Sequence, residues 1–374
     1  MVTQRGRPSQ VAQHDMGMPS AMRSRDEPVC RTGVRASGSS RHDVQTRCIV
    51  AHPAEQARMM MTLYLGQALL PPALIAVLWR FPAASRVGFG AQCAGSAVAL
   101  AAIALRGVWL LPPWCAPHAF AVTLAAVVPL ALRRRRPFPS TLPVTSRGWI
   151  SCACFAALGG ASLPSVLAAR DSRTPPATTG LELAFPLPSG RYLVVNGGSD
   201  IATNAHLLTL DAESPRLRAW RGQSLGVDLV RVDTYGLRAA GVQPADPRAY
   251  RIHGTRVLAP CDGTVIALRD GLPDMSVPKT DRAHLAGNHV LLRCNGGDVL
   301  LGHLGAGTLR VHADTTARTG DWLGNVGNSG NSDEPHLHSH AQRPGPANAP
   351  MAGEPLPILF GDRFPVRSDL ITVP

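Results

Sequence analysis

Between Met59 and Arg170 the chain contains no Asp or Glu at all, although it carries nine Arg there. Lysine is almost missing from the whole 374 residues: Lys279 is the only one. Aromatic residues make up only 5%. Residues 1–58 lack the apolar run of a secretory signal. Residues 171–374 lack the helical stretches of about 10–15 residues that alternate with strands in a parallel sheet.

Each absence excludes something. The missing acids segregate the charge: nine Arg and five acids in 1–58, nine Arg alone in 59–170, and eighteen Arg, one Lys and twenty acids in 171–374. The net charge of +12 therefore lies outside the large C-terminal block, which offers no phosphate-tracking surface, so no nucleic-acid partner is expected. A lipoyl- or biotinyl-type carrier, suggested by Asp262-Gly-Thr-Val, needs a lysine at a hairpin tip, and Lys279 sits in a Pro-containing segment instead. The missing helices argue against a parallel α/β sheet. A 45% hydrophobic content argues against a uniformly disordered chain.

What is present in the middle block reads as a membrane anchor. Met59–Trp79 is uncharged, Val87–Leu132 carries only Arg106 and is broken by Pro112-Pro113, and Gly148–Ala169 is uncharged. A crossing helix needs about 20 apolar residues. The pattern predicts four spans near 60–79, 88–110, 114–132 and 149–169, with the lipid bilayer as partner. Arg80, Arg86, Arg133 to Arg136 and Arg147 flank the first and third connections, whereas Leu111 to Ala116 carries no charge. The positive-inside rule puts the Arg-rich loops in the cytoplasm and the C-terminal block outside it. An exported Arg-rich tail conflicts with that topology. Residues 1–58 read as disordered, and the Met59-Met60-Met61 run is expected to mark the true start of translation.

Beyond a polar linker at 171–188, short apolar runs recur between Gly, Asn, Asp and Pro: Tyr192–Asn196, Gly226–Val232, Thr264–Leu268, His289–Cys294, Val299–His303 and His336–His340. This pattern predicts a mainly-β antiparallel sheet or sandwich. In a strand alternate residues share a face, so His336, His338 and His340 point to one side. Two imidazoles and one carboxylate are enough to hold Zn²⁺ with a position left for water. Gly324-Asn-Val-Gly327-Asn-Ser-Gly330 has the wrong glycine spacing for a dinucleotide fingerprint and reads as turns beside a site.

Five segments in order carry a resemblance to a known family. They are His253-Gly-Thr-Arg-Val-Leu-Ala-Pro-Cys-Asp-Gly-Thr-Val265, Gly287-Asn-His-Val, Gly302-His-Leu304, Gly327-Asn-Ser-Gly330 and Pro335-His-Leu-His338. Together they resemble the lysostaphin-like zinc endopeptidases, which cut peptide bonds of bacterial peptidoglycan. The resemblance implies a peptidase domain at 189–345 followed by an extension at 346–374. Joined to the apolar spans and the positive-inside reading, this gives a multi-span helical anchor in the cytoplasmic membrane, with the β-domain in the periplasm or extracytoplasmic space. The resemblance also implies roles: His338 and Asp228, in Gly226-Val-Asp-Leu, as zinc ligands, and His303 and His336 as catalytic histidines.

One ligand departs from the family pattern. The usual first histidine stands four residues before the aspartate, where this chain has Ser224. A branch of the family brings that histidine from an Asn-x-His context, which Asn204-Ala-His206 matches. Two readings follow. Either His206 completes the zinc site, or it is an ordinary surface histidine and the domain is a metal-free, non-catalytic relative that binds or activates another wall hydrolase. Ala313 also replaces a turn glycine. Only Cys261 and Cys294 fall in the exported block, and pairing of the Thr264–Leu268 and His289–Cys294 runs would bring them together as a disulfide.

Overall fold

A computed structural model describes residues 53–211 and 215–374, so the expectations for residues 1–52 lie outside it. Four helices come first: α1 (Pro53–Arg80), α2 (Arg86–Arg106), α3 (Ala116–Arg135) and α4 (Ser146–Asp171). The first begins ahead of the expected boundary at Met59, because Ala-Glu-Gln-Ala-Arg is made of strong helix formers. Ser85 and Thr145 cap α2 and α4, their hydroxyls accepting from the Gly88 and Gly148 amides. Helices α2, α3 and α4 are long and apolar enough to cross a membrane, and α1 carries a shorter apolar stretch at Leu65–Arg80. Helices α2 and α4 cross where both lack side chains. A Cβ on Gly95 would meet the Phe155 carbonyl at 2.2 Å, and one on Gly159 would lie 3.2 Å from Gly95 Cα. Small residues at a crossing let two backbones pack closely within lipid.

The remaining chain is mainly β. Its strands are β1 (Leu181–Leu183), β2 (Gly190–Asn196), β3 (Val227–Arg231), β4 (Arg256–Leu258), β5 (Gly263–Arg269), β6 (Asn288–Cys294), β7 (Gly297–Leu304), β8 (Thr316–Ala317), β9 (Trp322–Asn325), β10 (Leu337–Gln342), β11 (Pro355–Leu356), β12 (Ile358–Phe360) and β13 (Leu370–Val373). The main sheet runs β13-β2-β3-β10-β7-β6-β5-β8, with β11 on β10, and all its pairings are antiparallel. The hairpin-free pair β4–β9 lies over it, and Val257, Ala259, Leu323 and Val326 join Leu229, Leu292, Leu301 and Leu337 in one buried core. The β-domain thus follows the alternating pattern of the sequence, with only short helical turns, at Ala205–Leu210, Pro215–Arg218 and Arg221–Leu225, between the paired strands β2 and β3.

Two further features frame the β-domain. The Cys261–Cys294 disulfide closes the end of the β5–β6 ladder, where Gly263 pairs with Cys294. The α2–α3 loop seats on the sheet: Leu110 packs with Leu193, Val195, Val230 and Val232. The Arg-rich connections gather at the opposite helix ends, where Arg134 donates to the Trp79 carbonyl and stacks over the Trp79 ring. The left-handed conformation near Ala313 falls on Asp314 (φ 66°), so the missing turn glycine leaves Ala313 itself unstrained.

Candidate metal and catalytic site

Strands β3 and β10 lie side by side, and their register sets His338 opposite Asp228. On β10, Leu337 and Ala341 enter the core, so His338 and His340 face the other way. On β3 the same alternation buries Val227 and Leu229 in that core and turns Asp228 toward His338. His206 comes from the turn of 3₁₀ helix Ala205–Leu210. These three residues present donor atoms that all lie within 4.8 Å of one another.

His206 Nε2 lies 3.4 Å from Asp228 Oδ2, and His338 Nδ1 lies 2.8 Å from Asp228 Oδ1. Each donor is oriented by a second residue. Asn204 Oδ1 contacts both the amide and Nδ1 of His206, at 3.2 and 3.0 Å. An amide oxygen only accepts, so Nδ1 carries the proton and Nε2 is free. Asn204 is itself fixed, since its Nδ2 donates to the Gly198 and Gly226 carbonyls. His338 Nε2 sits 3.0 Å from Nδ1 of the fully buried His340, a partner able to leave His338 Nδ1 as the ligating nitrogen. Gly226 keeps the space open: a Cβ there would stand 2.8 Å from His338 Cε1.

The electrostatics suit a metal. Burial pulls the His206 pKa down to about 4, so the ring stays neutral at neutral pH. Burial would raise Asp228, but His206, His336 and His338 together hold it well below the usual carboxylate range. Two imidazoles and one carboxylate are the kind and number of ligands that a catalytic zinc takes, with a fourth position left over.

His303 and His336 stand beside this group, their ring centroids 4.6 Å apart. His303 Nδ1 donates to the Ser329 carbonyl at 2.9 Å, and His336 Nδ1 donates to the Glu334 carbonyl at 2.8 Å. Both rings therefore keep Nε2 for chemistry, and His336 Nε2 lies 3.7 Å from Asp228 Oδ1. Burial first, then His336 and His338, lower the His303 pKa far below its ordinary value. His303 also holds a left-handed backbone (φ 61°), uncommon for a non-glycine and often found at functional positions. The glycine-rich turns fix Ser329 beneath it: a Cβ on Gly287 would meet the Ser329 carbonyl at 2.3 Å, so those backbones touch.

Other sequence candidates go elsewhere. Ser224 is buried and bonded to the Arg221 carbonyl and to Thr209, outside the donor cluster. His253 and His284 pair with Asp274 and Asp281, His289 bonds the Gly287 carbonyl, and His312 bonds within its own turn. Lys279 lies in the long connection between the paired strands β5 and β6, next to Pro278. Four supporting residues had no signal in the sequence. Asn196 donates to Asp228 Oδ2 at 2.9 Å, and Arg367 donates to Asn196 Oδ1 at 2.7 Å. Arg238 grips Glu334 with its Nε and Nη2, two residues before His336. Their partners stand far away in the chain, so no local spacing marks them.

Residues 249–350 match the family described as Peptidase family M23. No curated protein sequence matches the chain. Among solved structures, similarity extends to a zinc-containing peptidase from Vibrio cholerae, at 17% identity over 43% of this chain and 37% of that one, with a TM-score of 0.25. It extends to the catalytic domain of the antimicrobial peptidase lysostaphin from Staphylococcus simulans, at 19% identity over 34% and 73%, with a TM-score of 0.22. A mutant catalytic domain of the prophage-encoded M23 protein EnpA from Enterococcus faecalis is similar at 27% identity over 25% and 69%, with a TM-score of 0.16. The chain thus spans well under half the length of the Vibrio cholerae protein.

Proposed function

From the premise that the chain carries a Peptidase family M23 domain at residues 249–350 and resembles the lysostaphin-like peptidases, we propose that it is a membrane-anchored, zinc-dependent endopeptidase acting on peptide bonds of peptidoglycan. In this reading His206, Asp228 and His338 hold the metal, and His303 and His336 do proton chemistry. The observation that carries it is the convergence of His206, Asp228 and His338 within 4.8 Å. Two of those donors, His206 and Asp228, lie outside the matched family segment, so their convergence is independent support.

Bound zinc would supply Lewis-acid polarisation of the scissile carbonyl and acidify water. The protein's own groups do the rest. His303 and His336, each with Nδ1 tied to a carbonyl, offer Nε2 to take a proton from the attacking water. The imidazolium so formed stabilises negative charge on the tetrahedral oxygen and then gives its proton to the leaving amine. Helices α2, α3 and α4 would hold this domain at the outer face of the cytoplasmic membrane, because the Arg-rich loops lie at the other helix ends.

Ser224 motivates a second reading, a metal-free relative of the same fold that binds or activates another wall hydrolase. Zinc content separates the two: a stoichiometric ion favours the peptidase, and none favours the binder. The decisive experiment is digestion of cell-wall muropeptides by the full chain in detergent. His338→Ala is expected to abolish both zinc uptake and cleavage, and full activity in that variant would refute the proposal.

A further inference from the structure

The sheet face that carries the site also receives the membrane anchor. On β3, Asp228 and Val230 share one face because strand side chains alternate. Val230 packs with Leu193 and Val195 against Leu110 of the α2–α3 loop. A hydrogen-bond path runs between the two regions. Arg367 Nη1 donates to the Arg106 carbonyl at the C-terminal end of α2, at 3.1 Å. Its Nε donates to the Val195 carbonyl at 2.9 Å, and its Nη2 donates to Asn196 Oδ1 at 2.7 Å. Asn196 Nδ2 then donates to Asp228 Oδ2 at 2.9 Å.

The direction of this path is set by chemistry. The last carbonyls of a helix lack intrahelical donors, and a cation there also suits the helix dipole. Arginine has only donors, so it claims the oxygen of the Asn196 amide. The NH₂ group must then face Asp228, which accepts. Three hydrogen bonds and two planar groups place the carboxylate within about 13 Å of the α2 terminus. Burial and Arg106 lower the Arg367 pKa to about 10, which leaves it cationic at neutral pH.

We propose that Arg367 is a positioning residue which, through Asn196, orients the Asp228 carboxylate from the end of helix α2, making the anchor part of the metal site's scaffold. A parallel grip supports this: Arg238 bonds both the Leu110 carbonyl and Glu334, whose own carbonyl holds His336.

The inference rests on the zinc reading, and its test separates the two. The full chain in detergent is titrated with zinc against a chromophoric chelator, and its cobalt(II) form is examined by visible absorption. Arg367→Gln and Asn196→Ala are each expected to weaken zinc binding about 10–100-fold and to alter the cobalt bands. The double variant should be no weaker than Asn196→Ala alone, because both break one path. Should Arg367→Gln fail to fold, Asn196→Ala still decides, since it leaves Arg367 its bonds to the Val195, Ala202 and Arg106 carbonyls. Parent-like affinity and an unchanged cobalt spectrum in Asn196→Ala overturn the positioning role alone. A parent chain that takes up no zinc overturns the peptidase reading and this inference together.

Discussion

Opening the Cys261–Cys294 disulfide is expected to weaken the β-domain while leaving the metal site intact. The two cysteines are separated by 33 positions, and their Cα atoms lie 6.0 Å apart. Loop-closure entropy for a ring of that size makes the cross-link worth about 3.7 kcal/mol at 25 °C. For a β-domain of this size that corresponds to a drop of roughly 7–15 °C in Tm. Cys294 is buried in the core, so truncating it would add a cavity cost to the loss of the bond. Reduction of the native chain isolates the cross-link, and the Cys261→Ala/Cys294→Ala double variant adds the packing loss. The assay is guanidinium unfolding followed by tryptophan fluorescence, with and without a phosphine reductant, on the full chain in detergent. Zinc content should not change, because Gly297, paired with Cys294, stands about 20 Å along β7 from His303. A loss below about 1 kcal/mol on reduction, against the 2–4 typical of a disulfide, would refute the reasoning. So would alkylation of both thiols in the unreduced, unfolded chain.

Three further outcomes follow from the geometry. Asn204→Ala removes the acceptor that holds His206 Nδ1, so zinc affinity should fall about 10–100-fold by chelator competition, with the fold retained by circular dichroism. Gly226→Ala would set a methyl 2.8 Å from His338 Cε1 and 3.3 Å from His206 Nδ1. It should displace both rings, and metal analysis should find the purified variant depleted in zinc. Glu334→Gln breaks the ion pair between Glu334 and the Arg238 guanidinium, which is only 3% exposed. Breaking such a pair costs about 3–5 kcal/mol, and denaturant midpoints measure it.

How much of this could be read from the chain differs from residue to residue. The strands at Tyr192–Asn196, His289–Cys294 and Val299–His303 correspond closely to β2, β6 and β7, because alternation is a local property. The shared face of His338 and His340 was readable for the same reason, and so was the approach of Cys261 to Cys294 once their runs were paired. The apolar helices were readable from length and charge alone, although α1 starts earlier and α2 ends sooner than the hydropathy suggests. The site's supports were not. Glu334 lies 96 positions from Arg238, and Arg367 lies 171 from Asn196, so each looks like an ordinary charge in its own neighbourhood.

By itself, then, the sequence determined the segregation of charge, the acid-free apolar block, the alternating strands and the identity of the histidines, since each is written in near-neighbour spacing. Only the tertiary structure decided that His206 rather than Ser224 faces Asp228, because a 3₁₀ turn swings one inward while the other spends its hydroxyl on Arg221 and Thr209. It also decided that the end of α2 is linked to Asp228 through Arg367 and Asn196. Contacts of that kind depend on which strand lies beside which, and the pairing of β2, β3 and β10 is settled by burial of a common core rather than by any short stretch of chain.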